Sequence, residues 1–362
     1  MDADESFYSA IELLKRMISI PSFSRDENDV ATEIERYAQN VLNLFPRRYG
    51  NNLCFQTPYS DKKPTVLLNS HIDTVKPVSG WQHDPFIPLL ENEKLFGLGS
   101  NDAGASVVSL LHTFILLTQK EQPYNLIFAA SAEEEVSGKN GIESLLPNLP
   151  PIDFAIVGEP TGMQPATAEK GLLVIDGTVR GKAGHAARNE GDNAIYKALP
   201  VIEKLKNFQF PCTSKLLGPV KISVTQIQAG TQHNVIPDRC DFVIDVRTND
   251  RYNNNETFTL LQEVVPGCEL KARSFRLNSS HIDENHPFIQ RCIFAGMQPF
   301  GSPTLSDQAL MPFPSAKIGP GDSARSHTAN EFIYLSEIRN AISLYTKLLD
   351  GLSFSINHQR FI

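Results

Sequence analysis

The sequence predicts an α/β fold, an α/β/α sandwich on a mainly parallel sheet, interrupted by a smaller inserted α+β domain. Three observations predict it. Short, uninterrupted apolar runs recur early in the chain, at 64–73 (PTVLLNSHID), 124–134 (YNLIFAASAEE) and 152–160 (IDFAIVGEP). Strands covered on both faces read in this way, without polar alternation. Beyond about residue 170 apolar and polar residues alternate, as in antiparallel strands with one wet face. From about residue 280 the apolar runs return, so the second pattern interrupts the first.

The elements follow in order. Residues 6–20 and 28–44 carry apolar residues at helical spacing, and the PSFS between them supplies a break. Between the first two apolar runs, ASVVSLLHTFILLTQK (105–120) is long and periodic enough for a crossover helix. LLVIDGTVRG, VKISVTQIQAG and CDFVIDVRTN read as alternating strands, punctuated by helical DNAIYKALPVIEKLKNF and NNETFTLLQEVV. Strand, helix, strand, strand, helix fits a small ferredoxin-like α+β domain. LSEIRNAISLYTKLLDGL closes the chain as an amphipathic helix. The expected organisation is one domain in two parts, 1–169 and 280–362, around an inserted smaller domain at 170–279; the resemblance described below implies that the first is catalytic and the second a lid or dimerisation domain.

Bulk properties narrow the function. A chain of 362 residues with 41% apolar content exceeds the size at which one core keeps growing, so two cores are expected. A net charge of −8 without a dense basic run argues against nucleic acid as a partner. Cys54, Cys212, Cys240, Cys268 and Cys292 are odd in number and widely spaced, as for reduced cytosolic thiols. The acidic start MDADESFYSAIELL does not resemble a signal peptide, and no stretch is apolar enough to span a bilayer. A cytoplasmic protein acting on a small molecule is expected.

Each apolar run ends in residue types that bind metals. PTVLLNS ends in His71 and Asp73, NLIFAASA in Glu133, Glu134 and Glu135, and DFAIVG in Glu159, while Asp102 precedes the crossover helix. The carboxyl ends of parallel strands line one crevice, so these residues converge. Each alone has an ordinary explanation. A His near an Asp is common in cores, a run of glutamates is usually a solvated helix face, Asp102 could cap its helix, Glu159 could cap a turn, and His327 could be a loop residue. Together they would repel one another in a low-dielectric crevice unless a divalent cation intervened. Mixed imidazole and carboxylate ligation suits Zn²⁺, with Co²⁺ or Mn²⁺ as substitutes. His83 in WQHDPF is read as a loop residue.

NSHIDTVKPV, WQHDPFIPLLENEKLFGLGSNDAG, SAEEEVSG, VGEPTG, GKAGHAAR, AGTQHNVIPDRCDFVIDVR and GPGDSARSHTANE stand in an order that resembles the di-zinc deacylase and exopeptidase family. That family contains acetylornithine deacetylase, succinyl-diaminopimelate desuccinylase and glutamate-releasing carboxypeptidases. The resemblance runs from about residue 8 to about 350. It implies that His71, Asp102 and Glu159 hold one zinc, that Asp102 bridges to a second, and that Glu135 and His327 complete the second. It implies Asp73 as the carboxylate orienting His71, Glu134 as general base, and His185 over the scissile carbonyl, often across a dimer interface. Asn234 and Arg247 resemble substrate-binding residues. Many members carry Met-Lys-Gly after the bridging aspartate, whereas Ala103, Gly104 and Ala105 follow here.

The chemistry this implies is amide hydrolysis. Zinc lowers the pKa of water from about 15.7 to about 7, and a nearby uncoordinated carboxylate moves the remaining proton to the leaving amine. The resemblance leans towards acetylornithine deacetylase, hence removal of an acyl group from N-acetyl-L-ornithine or N-succinyl-L-ornithine in arginine biosynthesis. The alternatives are succinyl-diaminopimelate desuccinylase, a di-zinc dipeptidase or aminopeptidase, and a non-catalytic binding protein on the same fold. A succinyl group would call for an extra cation, with Arg180, Lys182, Arg188 and Lys317 as candidates. Of the three adjacent glutamates, Glu133 is expected to be a flanking residue with a structural role. A homodimer through the inserted domain is also expected.

Overall fold

The computed structural model describes residues 2–355. They form two compact units, one made of 2–167, 282–300 and 306–355, the other of 168–281 and 301–305.

The larger unit is built on a sheet in which Arg47–Tyr49, Asn52–Gln56, Asn125–Ser131, Thr65–His71, Phe154–Val157 and Ser315–Lys317 lie side by side in that order. The last four run parallel to one another, and the first two are antiparallel additions at one edge. Successive strand residues face opposite sides. Val66, Leu68, Leu126, Phe128, Phe154 and Ile156 enter one core, while Leu67, Ile127, Ala129, Ala155 and Val157 enter another. Both faces are dry, which is why these strands show no polar alternation in the sequence.

The first core is roofed by helices Ala3–Ile18, Asn28–Asn40, Ala105–Thr118 and Leu335–Leu349. The helix at 105–118 connects neighbouring parallel elements and is buried over most of its surface, as a crossover helix must be when other helices cover it. The second face carries the short helix Ile142–Leu145, whose Ile142 and Leu145 are fully buried.

In the smaller unit Lys221–Ala229, Arg239–Thr248, Gly171–Arg180 and Glu269–Ala272 pair antiparallel in that order. Helices Ala194–Asn207 and Asn254–Val264 complete a strand, helix, strand, strand, helix, strand order. Leu173, Ile175, Val179, Phe242, Ile244 and Val246 bury one face of the sheet against the helices. Gly177 is required there, since a Cβ would stand 2.5 Å from the Phe242 ring.

Candidate active site

The sheet register brings the strand ends level. His71 is the last residue of its strand and lies opposite Ser131, the last of the neighbouring strand, while Asn69 lies opposite Val157 two residues before Glu159. The chain must then turn for the acids after Ser131 to converge. It does so at Glu133, which adopts a left-handed φ of 55°, and continues in a single 3₁₀ turn, Glu134–Val136.

Asp73 organises that turn. Its Oδ1 accepts the Glu134 amide at 3.0 Å, and its Oδ2 accepts the Glu135 amide at 3.1 Å and the Ser24 hydroxyl at 2.7 Å. Its backbone carbonyl lies 2.9 Å from His71 Nδ1, with Oδ1 at 3.5 Å, so the opposite nitrogen, Nε2, faces the acids.

Around His71 Nε2 stand Asp102 Oδ1 at 3.2 Å, Glu159 Oε1 at 3.8 Å and Glu134 Oε2 at 3.9 Å. His327 Nε2 lies 3.0 Å from both Glu135 oxygens and 3.7 Å from Asp102 Oδ2. Asp102 thus offers one oxygen towards each imidazole. Ligand atoms of His71, Glu134 and Glu159, and likewise of His71, Asp102 and Glu135, lie within 4.8 Å of one another. Neither ordinary explanation for the two isolated acids applies. The helix at 105–118 has Gly104 at its N-cap with no side-chain cap bond, and Glu159 Oε1 is buried with no hydrogen-bond partner.

The electrostatics are those of a donor set waiting on positive charge. Burial pushes the Glu159 carboxyl up to about 8 and Glu134 well above the usual range, neighbouring carboxylates adding to both. Burial alone would strip the proton from His71, but Asp102 and Asp73 hold it on and raise the imidazole well above its ordinary value. The bond to Glu135 raises His327 to about 9. Against the burial of its carboxyl, His71 keeps Asp102 low. Two imidazoles and several carboxylates with an orphaned oxygen among them fit a pair of divalent cations of the borderline kind.

The structure therefore brings His71, Asp73, Asp102, Glu134, Glu135, Glu159 and His327 together in the larger unit. His185, Asn234 and Arg247 belong to the smaller one. There His185 pairs with Val235 in a short ribbon, the Ala186 amide donates to the Asn234 carbonyl at 3.0 Å, and both His185 and Asn234 are exposed. Arg247 holds Asp245 through Nε and Nη2 at 2.9 and 3.1 Å. His83 is an exposed loop residue against the Phe96 ring.

Sequence reasoning missed several supporting residues. Ser24 was legible only as part of a helix break. Glu27, fully buried, accepts the Glu133 amide at 3.2 Å. Glu331 accepts three backbone amides of the turn before the crossover helix. Asp307 accepts from Asn69 and Ser131 beneath the strand ends. Glu331 closes the GPGDSARSHTANE motif, whereas Ser24, Glu27 and Asp307 lie outside the motifs, and only the fold reveals the targets of all four. Glu133 has a structural part, as expected from the sequence: its carboxylate accepts the Asn140 amide side chain at 2.8 Å and backbone at 3.3 Å, closing the loop behind Glu134 and Glu135.

The chain is similar to known proteins over most of its length. Residues 67–351 match the model of peptidase family M20/M25/M40. A Mycobacterium tuberculosis protein with the provisional name succinyl-diaminopimelate desuccinylase DapE is 28% identical over 356 residues, covering 94% of this chain and 98% of that one. The succinyl-diaminopimelate desuccinylase of Corynebacterium glutamicum is 27% identical, covering 94% and 95%. Among solved structures, the M20 family metallo-carboxypeptidase of Sulfolobus solfataricus superposes with a TM-score of 0.73 at 18% identity, covering 97% and 99%. Bacillus subtilis YXEP, described as a dinuclear metal binding peptidase of the M20 family, gives 0.72 at 17% identity, covering 96% and 98%. No helix among the described residues is long and apolar enough to cross a membrane. Strand ends that gather imidazoles and carboxylates on a mainly parallel sheet, and a family match over most of the chain, lead to one conclusion: the chain belongs to peptidase family M20/M25/M40, metallohydrolases acting on amide bonds.

Proposed function

We propose that this protein is a two-zinc desuccinylase that hydrolyses the amide of an N-succinyl amino acid, with N-succinyl-LL-diaminopimelate as the first substrate to test. The curated relatives that match along nearly the whole chain carry that name, so the expectation of an ornithine substrate in arginine biosynthesis gives way to the alternative. The observation that carries the two-ion reading is the divided carboxylate of Asp102, with one oxygen 3.2 Å from His71 Nε2 and the other 3.7 Å from His327 Nε2.

In this reading His71, Asp102 and Glu159 hold one ion, and Asp102, Glu135 and His327 the other. When bound, the ions supply Lewis acidity, polarising the scissile carbonyl and making hydroxide available near neutral pH. Asp73 fixes the ring of His71 and, through the two amides it accepts, the turn that presents Glu134 and Glu135. Glu134 takes the proton of the attacking water. As the new C–O bond forms and the C–N bond breaks, it hands that proton to the leaving nitrogen. His185 is proposed as a donor to the developing oxyanion, and Asn234 and Arg247 as substrate contacts.

A succinyl carboxylate calls for a cation. Of the four considered, Arg180 is held by Glu269 at 2.7 Å and Lys317 is only 3% exposed, which favours Lys182 and Arg188, both exposed. Residues 168–281 are proposed as the lid through which a homodimer forms: the edge strand Lys221–Ala229 leaves Ile227 exposed, and Tyr196 and Leu199 stand out from the helix at 194–207. Five free thiols suit the cytoplasm.

The test is turnover by zinc-loaded protein of N-succinyl-LL-diaminopimelate, N-succinyl-ornithine, N-acetyl-ornithine and a dipeptide. The first should be preferred. Preference for any other overturns the substrate, and protein that takes up no divalent ion overturns the mechanism.

A further inference from the structure

Glu331 is almost fully buried, at 2% exposure, and its carboxyl group is occupied by the backbone just ahead of the crossover helix. Oε1 accepts the amides of Asn101 at 2.8 Å and Asp102 at 2.9 Å, and Oε2 accepts that of Gly99 at 3.1 Å. Its own carbonyl accepts the Gly97 amide at 3.0 Å. Asp102 and Ala103 depart from helical φ/ψ inside this tight turn, and the amides of Gly99, Asn101 and Asp102 find their acceptor outside it, in Glu331. The turn has little room to supply one itself, because a Cβ on Gly99 would stand 2.6 Å from Thr74 Cγ2.

Asn101 ties the same turn to the segment that leads into His327. Its Nδ2 donates to the Asp322 carbonyl at 3.1 Å and the Ser326 hydroxyl at 3.2 Å, and its Oδ1 accepts the Asp322 amide at 3.0 Å. Glu331 therefore holds the backbone of Asn101 and Asp102, and the Asn101 side chain ties that same backbone to Asp322 and Ser326. The two imidazoles differ in how firmly they are anchored. His71 is 1% exposed and braced by Asp73, whereas the His327 side chain is 52% exposed and is met by Glu135 and Asp102. Loosening Asp102 should weaken the His327 side first.

We infer that Glu331 is the positioning residue of Asp102, setting where that carboxylate sits between the two imidazoles and thereby the affinity of the cation held on the His327 side. The inference rests on the two-ion reading above. Glu331→Gln tests it with almost no change of shape: one acceptor oxygen becomes an NH₂ group that faces a backbone N–H.

Chelator-stripped full-length protein is titrated with Zn²⁺ by calorimetry and with Co²⁺ by visible absorption. The wild type should take up two ions. E331Q should bind one as the wild type does and the second on the order of 10- to 100-fold more weakly, with a changed cobalt spectrum for that second ion only. Two ions bound with wild-type affinity, or equal weakening of both alongside a lowered melting temperature, would overturn the role. A wild type that binds no ion instead overturns the two-ion reading, and this is seen before any variant is made. If E331Q does not fold, Glu331→Asp, which keeps the carboxylate but shortens its reach to the Gly99, Asn101 and Asp102 amides, is titrated in the same way: selective weakening of the second ion supports the assignment, and unchanged binding of both overturns it.

Discussion

Replacing Asp73 with asparagine keeps the shape of the side chain and changes what it can accept. Asp73 is fully buried, and its two oxygens receive the Glu134 amide on one side and the Glu135 amide and Ser24 hydroxyl on the other. An asparagine keeps two of those three bonds by placing its carbonyl towards Ser24 and Glu135. Its NH₂ then faces the Glu134 N–H, stranding a buried donor at a cost of about 1–3 kcal/mol, and the two surviving bonds lose the extra strength of a charged acceptor. Together this is about 3 kcal/mol, a shift of roughly 6–12 °C in the melting of a unit of this size. Asp73→Ala, which strands all three donors, should cost more.

The measurement is calorimetry on the chelated protein, so that lost metal affinity does not contribute. The pH dependence adds a second check. Burial would raise the Asp73 carboxyl, but His71 and the bonds it accepts hold it below its ordinary value. A depressed carboxylate stabilises the fold above its unfolded pKa of about 3.9, and that stability is lost as pH falls through the lower folded value. The gap between wild type and D73N should therefore be full at pH 7 and close in strong acid. Chelated D73N melting within a degree of wild type at pH 7 would refute the view that Asp73 holds the Glu134–Glu135 turn.

Four further substitutions have definite expected outcomes. Glu134→Gln should keep both metals and slow turnover by on the order of 10²–10⁴, whereas Glu135→Ala should lose one metal, as read by elemental analysis after desalting. Gly138→Ala would put a Cβ 1.9 Å from Glu133 Oε2 and 2.5 Å from its Cβ; it should break the Glu133–Asn140 clasp and destabilise by about 1–3 kcal/mol, measured by urea unfolding. His112 is fully buried on the crossover helix with neither ring nitrogen bonded, and burial pushes it down to about 4. The unfolded state then binds the extra proton between about 6.5 and that value, so stability is full above that window and falls through it by about 3 kcal/mol. His112→Leu should flatten this fall, measured by urea unfolding at pH 7 and pH 5, and an unchanged slope would count against the assignment.

How much was legible in advance depended on range. The parallel strands could be read because both faces are dry, and 64–73, 124–134 and 152–160 became Thr65–His71, Asn125–Ser131 and Phe154–Val157. The smaller unit could be read because its strands Gly171–Arg180 and Arg239–Thr248 alternate between core and outer face residue by residue. The strand-end acids could be listed as candidates because parallel strands share one carboxyl edge.

The tertiary structure alone decided what each of those acids touches. Three successive glutamates look alike in sequence. The left-handed turn at Glu133 sends its own side chain back to Asn140 and the next two towards the imidazoles. The bonds by which Ser24, Glu27, Asp307 and Glu331 support the site carry no local signal, because they reach Asp73, Glu133, Asn69 and Asn101, which lie between 49 and 238 residues away along the chain. A sequence pattern reports which face of an element is buried, since that depends on the element's own period. A hydrogen bond across the sheet depends on where a distant loop returns, and only the assembled fold sets that.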